Sequence, residues 1–211
     1  MIELVDVCYG YKHKHCINQI LNSINYKFED AQCHVITGKS GTGKTTLISL
    51  ISGLDVPISG KILFNGTNIS DLNLDEYRSK TVGVIFQNYN LLPNLNAIEN
   101  VQLALHLSGI RSDTNNTAVM LLEQVGIKSP VSEQKVTTLS GGEQQRVAIA
   151  RAMAGSPNVI IADEPTGNLD EENQRHIMDI FLDLAHLYGK CVIIASHSSE
   201  VIKSADQILS L

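Results

Sequence analysis

Residues 33–46 read Cys33-His34-Val35-Ile36-Thr37-Gly38-Lys39-Ser40-Gly41-Thr42-Gly43-Lys44-Thr45-Thr46. The first five residues suit a short apolar strand, and the chain then enters a loop with glycines at 38, 41 and 43. From Thr45 to Ser52 it suits a helix, closed by Gly53. Gly38 to Thr45 fits the pattern G-x-x-x-x-G-K-[ST]. Glycine lets backbone N–H groups curl around phosphate oxygens with no Cβ in the way. The helix that starts there points its positive end at the same anion. Lys44 is then placed to reach β- and γ-phosphates. The Thr45 hydroxyl is placed to ligate Mg2+, which prefers hard oxygen ligands. An apolar strand before the loop and an apolar helix after it argue against a chance glycine turn. The motif specifies a nucleotide and leaves the reaction open.

Further along, Val159-Ile160-Ile161-Ala162 is an apolar strand that ends in Asp163-Glu164. Side chains alternate along a strand, so the two carboxylates aim differently. Asp163 would hold Mg2+, directly or through water, and Glu164 would polarise an attacking water. An acidic pair at a strand end is common on surfaces. Beside a phosphate loop, it supplies the metal and base functions that phosphoryl transfer needs.

The remaining periodicity frames these motifs. Ile2 to Val7 alternates as a half-buried strand. Further strands are predicted at about Ile20–Phe28, at Lys61–Phe64 before an Asn65-Gly66 turn, and at Thr81–Gln87. From about Asn96 to Ala154 the pattern turns helical, with Ile98, Val101 and Leu105 on one stripe and Val119, Leu122 and Val125 on another. Cys191-Val192-Ile193-Ile194-Ala195 is a second continuous apolar strand, as in a parallel sheet covered on both faces. Between it and Val159–Ala162, Ile177, Ile180, Phe181, Leu184 and Tyr188 form one face of an amphipathic helix. This predicts an α/β core interrupted by a helical insertion.

The chain has 211 residues, with 16 Lys and Arg against 22 Asp and Glu, a net charge of −6. That charge gives no bulk attraction for nucleic acid or anionic lipid, and no nucleic-acid partner is expected. With 43% hydrophobic and 18% charged residues the composition is globular. No apolar run approaches the ~20 residues of a membrane span. The acids in Met1-Ile2-Glu3-Leu4-Val5-Asp6-Val7 do not fit a signal peptide, so a cytoplasmic location is expected. Cys8, Cys16, Cys33 and Cys191 lack zinc-like spacing and are expected to be small buried apolar residues. His13-Lys14-His15-Cys16 could be read as a metal cluster, but a solvated polar loop is the better reading.

Leu139-Ser140-Gly141-Gly142-Glu143-Gln144-Gln145-Arg146 precedes a helix predicted to run through Ala154. Ser140 suits the N-cap and Glu143 completes a capping box. Two glycines beside a capped N-terminus make a second anion site. A plain helix start needs Ser140 alone and does not account for the glycines.

This run resembles the signature of the ATP-binding-cassette (ABC) ATPases, and the resemblance extends over essentially the whole chain. In the same order, Tyr11 resembles the aromatic that stacks on adenine, with Tyr9 as its rival. Gln87, in Phe86-Gln87-Asn88, resembles the glutamine that senses the γ-phosphate, contacts the metal and faces the membrane partner. Asp170, in Asn168-Leu169-Asp170, matches the loop that crosses the dimer interface, and His197 matches the switch histidine. The resemblance implies one domain over 1–211. Its parts would be a P-loop core with a RecA-like parallel sheet and an N-terminal antiparallel β subdomain, over 1–88 and 156–211, and a helical signature subdomain over 89–155.

The resemblance also implies a head-to-tail homodimer with two ATP molecules at the interface. Each would lie between the phosphate loop of one copy (Gly38, Ser40, Gly41, Gly43, Lys44, Thr45, Thr46) and Ser140, Gly141 and Gly142 of the other. Glu164, His197, Gln87 and Lys44 would be catalytic, and Thr45, Gln87 and Asp163 would hold Mg2+. Phe86–Pro93 and Ala162–Asp170 are similar to the lipoprotein-release, macrolide-export and antimicrobial-peptide-export branch. That implies an integral membrane permease partner and a place at the cytoplasmic face of the membrane. A cell-division type of regulatory cassette is the alternative. Cassettes acting on DNA or ribosomes usually carry long insertions or two fused cassettes. Ser198 stands where an acid is usual, and turnover is expected to survive this. Many relatives continue beyond the position of Leu211, so a minimal domain without a regulatory tail is expected.

Overall fold

The computed structural model describes residues 1–13, 16–167 and 169–211, and no side chain within 12–17. The candidate cluster at His13-Lys14-His15-Cys16, and Asn168, lie outside that description. The strands are β1 (Ile2–His13), β2 (Cys16–Phe28), β3 (Cys33–Thr37), β4 (Ser59–Phe64), β5 (Thr67–Asn68), β6 (Val82–Ile85), β7 (Val159–Asp163), β8 (Cys191–Ala195) and β9 (Gln207–Ser210). The α-helices are α1 (Lys44–Ile51), α2 (Leu74–Glu76), α3 (Ala97–Leu107), α4 (Thr114–Gln124), α5 (Gly141–Met153), α6 (Glu171–His186) and α7 (Ser199–Lys203). They build a four-stranded sheet in the order β2-β1-β4-β5 and a five-stranded sheet in the order β6-β7-β8-β3-β9. The first sheet pairs antiparallel throughout and the second parallel throughout.

The apolar runs of β7 and β8 are buried on both faces, and their period of two sorts them between two cores. Val159, Ile161, Cys191, Ile193 and Ala195 pack toward α1 and the antiparallel sheet, with Leu47, Leu50, Phe28 and Ile62. Ile160, Ala162, Val192 and Ile194 pack toward the helices, with Val101, Leu122, Val147 and Phe181. The parallel sheet is therefore the middle layer, and its strand ends carry the phosphate loop and the acidic pair. Between β6 and β7 the regular elements named are all helices, which accounts for the change of period read after Asn96. Asn65 (φ 48°) and Gly66 (φ 84°) form the left-handed turn between β4 and β5 that the Asn-Gly pair announces.

Several expectations are corrected. β1 and β2 run far beyond the predicted Ile2–Val7 and Ile20–Phe28, because they pair with each other along almost their whole length. That pairing hides polar residues inside a strand pattern. Tyr188 is not on the apolar face of α6. The helix ends at His186, Gly189 turns the chain at φ 66°, and Tyr188 is exposed. β9 has no predicted counterpart, since its exposed edge residues show no alternation, yet it pairs in parallel with β3 from His34 to Thr37. Cys33 and Cys191 are buried as expected, whereas Cys8 is only half-buried and its Sγ accepts the Ser23 N–H at 3.2 Å.

Candidate active site

The loop between β3 and α1 turns on its glycines. Gly41 (φ 84°) and Gly43 (φ 101°) are left-handed, where an L side chain is strained. At Gly43 a Cβ would also lie 2.6 Å from Ile20 Cγ2. Gly43 sits at the N-cap of α1 with no side-chain cap, so the first N–H groups of that helix stay available to an anion. Lys44 Nζ donates to the carbonyls of Gly38 (3.0 Å) and Lys39 (3.4 Å), which holds the ammonium over the loop.

A cavity of about 750 Å³ opens beside this loop. It gathers residues from six separate parts of the chain: Tyr11, Ile20, the phosphate loop (Gly38 to Gly41 and Gly43 to Thr46), Gln87, Asp163 with Glu164, and His197. Tyr11 is exposed, stacks edge-on against Tyr9 at 5.5 Å, and lies 3.4 Å from the Thr46 hydroxyl. Tyr9 is buried and does not line the cavity. Its hydroxyl donates to Asp55, and that bond pushes the phenol up to about 12.

Asp163 and Glu164 both line the cavity, but Glu164 lies beyond the end of β7, so strand alternation does not set its direction. Asp163 is the last residue of β7. Its Oδ1 is buried without a hydrogen-bond partner, and burial raises its carboxyl above the usual range against the opposing Thr45 hydroxyl. A buried carboxylate oxygen with an open lone pair beside a threonine hydroxyl and a lysine is a hard-oxygen donor set, and it suits a divalent cation. Glu164 leaves the strand in the left-handed region at φ 46°, a conformation that costs an L-residue about 1–2 kcal/mol. Its N–H still reaches the Ala195 carbonyl at 2.9 Å, while its side chain turns out of the sheet. His197 Nδ1 donates to Glu164 Oε1 at 2.8 Å, and the Ser196 hydroxyl donates to Oε2 at 3.3 Å. The imidazole is largely exposed and the carboxylate largely buried, so the pair aims outward into the cavity.

Ser140, Gly141, Gly142 and Asp170 are absent from this cavity. Ser140 caps α5 in a complete capping box: its hydroxyl accepts the Glu143 N–H at 3.3 Å, and Glu143 Oε2 accepts the Ser140 N–H at 2.8 Å. The Ser140 hydroxyl also donates to that oxygen at 2.7 Å. Asp170 caps α6 through the Asn173 N–H at 2.9 Å. The expected residues thus fall into two groups within one chain.

Three residues that the sequence reading passed over support these groups. Tyr89 and Asn90 are both left-handed (φ 60° and 49°), and the half-buried guanidinium of Arg151 donates to both of their carbonyls. The Tyr89 hydroxyl stands 3.2 Å from where a Cβ on Gly141 would be. Two consecutive non-glycine residues in that region leave no compositional trace except the asparagine, which tolerates it better than most.

Among known proteins, residues 21–167 match the ABC transporter family. The chain is 42% identical to the ABC transporter ATP-binding protein YclH of Bacillus subtilis, over 98% of this chain and 91% of that protein. It is 38% identical to the lipoprotein-releasing system ATP-binding protein LolD of Syntrophotalea carbinolica, over 100% of this chain and 94% of that one. It also superimposes with a TM-score of 0.91 on the dimeric ATP-binding cassette MJ0796 in a post-hydrolysis state with ADP and Pi, at 33% identity and over 100% and 94% of the two chains. The chain belongs to the ABC transporter family of ATP-binding proteins.

Proposed function

We propose that this chain is the ATP-binding and ATP-hydrolysing subunit of an ABC transporter in the lipoprotein-release and macrolide-export branch. It works as a homodimer beneath a separate membrane permease, at the cytoplasmic face of the membrane. Among the described residues no helix is long and apolar enough to cross a membrane. Residues 1–88 and 156–211 act as the nucleotide-binding core and 89–155 as the helical signature subdomain.

One observation carries the reading: a single cavity collects a lysine, a hydroxyl, an orphaned carboxylate, and a second carboxylate hydrogen-bonded to a histidine. The N–H groups of Gly41 to Thr45 and the Lys44 ammonium receive the β- and γ-phosphates. Thr45, Gln87 and Asp163 hold Mg2+, which supplies positive charge to phosphate oxygens when bound. Glu164 Oε1 or Oε2 accepts a proton from the attacking water as it closes on the γ-phosphorus. His197 fixes the Glu164 carboxylate through Nδ1–H and so positions it against the γ-phosphate. Tyr11 offers its ring to the adenine. Ser140, Gly141, Gly142 and Asp170 complete the site of the second copy, so ATP bridges both subunits and hydrolysis loosens them.

The test is phosphate release from the purified full chain with ATP and Mg2+. Turnover should fall about 10²–10³-fold in Glu164→Gln, the size of a lost transition-state contact, while nucleotide affinity is kept. Wild-type turnover in that variant would remove Glu164 from the mechanism.

A further inference from the structure

The starts of α5 and α6 are built alike and lie side by side. Leu139-Ser140 precedes α5 and Leu169-Asp170 precedes α6. In each, the polar residue is the N-cap, and a glutamine four residues later reaches back to the leucine carbonyl. Gln144 Nε2 donates to Leu139 O at 2.9 Å, and Gln174 Nε2 donates to Leu169 O at 2.8 Å. Asn173 joins the two. Its backbone N–H donates to Asp170 Oδ1 at 2.9 Å and its Nδ2 donates to Asp170 Oδ2 at 2.8 Å, so both carboxylate oxygens are held by one residue. These bonds also keep the Asp170 carboxyl below its usual range. The Oδ1 of Asn173 points the other way. It accepts from the Arg146 guanidinium at 3.4 Å and fills the space a side chain on Gly142 would need, 2.3 Å from the position of that Cβ.

This gives Gly142 a reason. Its backbone is not left-handed, and within a helix alanine is favoured over glycine by about 1 kcal/mol. A methyl group there drives the Asn173 amide away and takes the Nδ2 donor from Asp170 Oδ2, leaving only the backbone N–H on Oδ1. We propose that Asn173 is a positioning residue that locks Asp170 to Ser140-Gly141-Gly142, so that the two loops facing the partner subunit keep one fixed relation. The proposal rests on the reading above that both loops face the partner's ATP.

The experiment uses the full chain as wild type, Asn173→Ala, Gly142→Ala and the double variant. Each is assayed for ATP affinity at low protein concentration, for turnover, and for ATP-driven dimerisation in the Glu164→Gln background. ATP affinity of the isolated subunit should match wild type in Asn173→Ala, since Asn173 does not line the phosphate-loop cavity. Asn173→Ala should lower turnover and dimerisation about tenfold, within the range of coupling through a packed contact. Gly142→Ala should lower them at least as much. The double variant should be no worse than Gly142→Ala, because the amide that the methyl group displaces is already gone. Additive losses, or wild-type turnover in Asn173→Ala, overturn the proposal.

Hydrogen exchange on the free subunit separates this from the dimer reading. Asn173→Ala should speed exchange in both 139–143 and 169–173, and faster exchange confined to 169–173 overturns the lock. If the wild-type background shows no ATP-driven dimer, the dimer reading fails while the exchange result still decides on Asn173.

Discussion

The phosphate-loop cavity and the paired starts of α5 and α6 hold the same kinds of residue, yet they treat them in opposite ways. The cavity leaves groups uncommitted. Asp163 Oδ1 is buried without a partner, the first turn of α1 has no side-chain cap, and Glu164 is held in an unfavourable backbone conformation so that its carboxylate faces outward. At the helix starts the polar groups are committed within the chain: Ser140 to Glu143, and Asp170 to Asn173. The first region shows its chemistry in a single copy. The second has a role in ATP chemistry only if another copy brings a phosphate to it, at which point the Ser140 hydroxyl exchanges a bond to Glu143 for one to phosphate.

The largest expected effects sharpen this contrast. Lys44→Ala should remove ATP binding by the isolated subunit and abolish turnover, read by nucleotide titration and phosphate release. Ser140→Ala should leave that binding intact while turnover falls by about 10-fold or more, since a donor to transition-state charge is lost. Its thermal stability should drop by only about 1 kcal/mol, the ordinary cost of an N-cap. Equal losses of binding in both variants would break the division between the two regions.

Smaller effects belong to the edges of each region. Tyr11→Ala should weaken ATP affinity by about 3–10-fold, in line with ~0.5–1.5 kcal/mol for an aromatic contact, and Tyr11→Phe should leave it unchanged. Tyr9→Phe acts on the fold alone, through the lost bond to Asp55.

The Glu143 carboxyl is held below its usual range by the Ser140 hydroxyl first and by the Ser140 N–H next. Its folded pKa is depressed, so the stability it contributes is complete above the unfolded value near 4.5. That contribution is lost as pH falls through the lower folded value. Glu143→Gln should flatten that acid limb in a thermal melt across pH 3 to 6, by lowering the melting temperature at neutral pH while leaving it little changed at the acid end.

What the sequence discloses follows the same division. The phosphate loop is legible because glycine spacing, a lysine and a hydroxyl must be contiguous to wrap one phosphate chain. Asp163 and Glu164 are legible because an apolar strand must end where they begin. Ser140 is legible as a cap. The reason for Gly141 and Gly142 is not, since it lies in Tyr89 and Asn173, which are 52 and 31 residues away and carry no motif of their own. The full lengths of β1 and β2 were hidden because an antiparallel ladder with one wet face tolerates polar residues at half its positions. β9 was hidden because an exposed edge strand is held by its ladder to β3 more than by its side chains. Tyr188 misled because helical spacing continues in the sequence past the point where Gly189 turns the backbone.

In the proposed reading the two regions of one chain are halves of two different sites, a division that the Lys44 and Ser140 variants already probe. It is tested most directly by the mass of the Glu164→Gln chain in solution, measured by light scattering with saturating ATP and Mg2+ and again with ADP. The expected result is twice the monomer mass with ATP, a return to monomer with ADP, and no dimer when Ser140→Ala is added. A chain that binds ATP to saturation and stays a monomer at every concentration reached would contradict it.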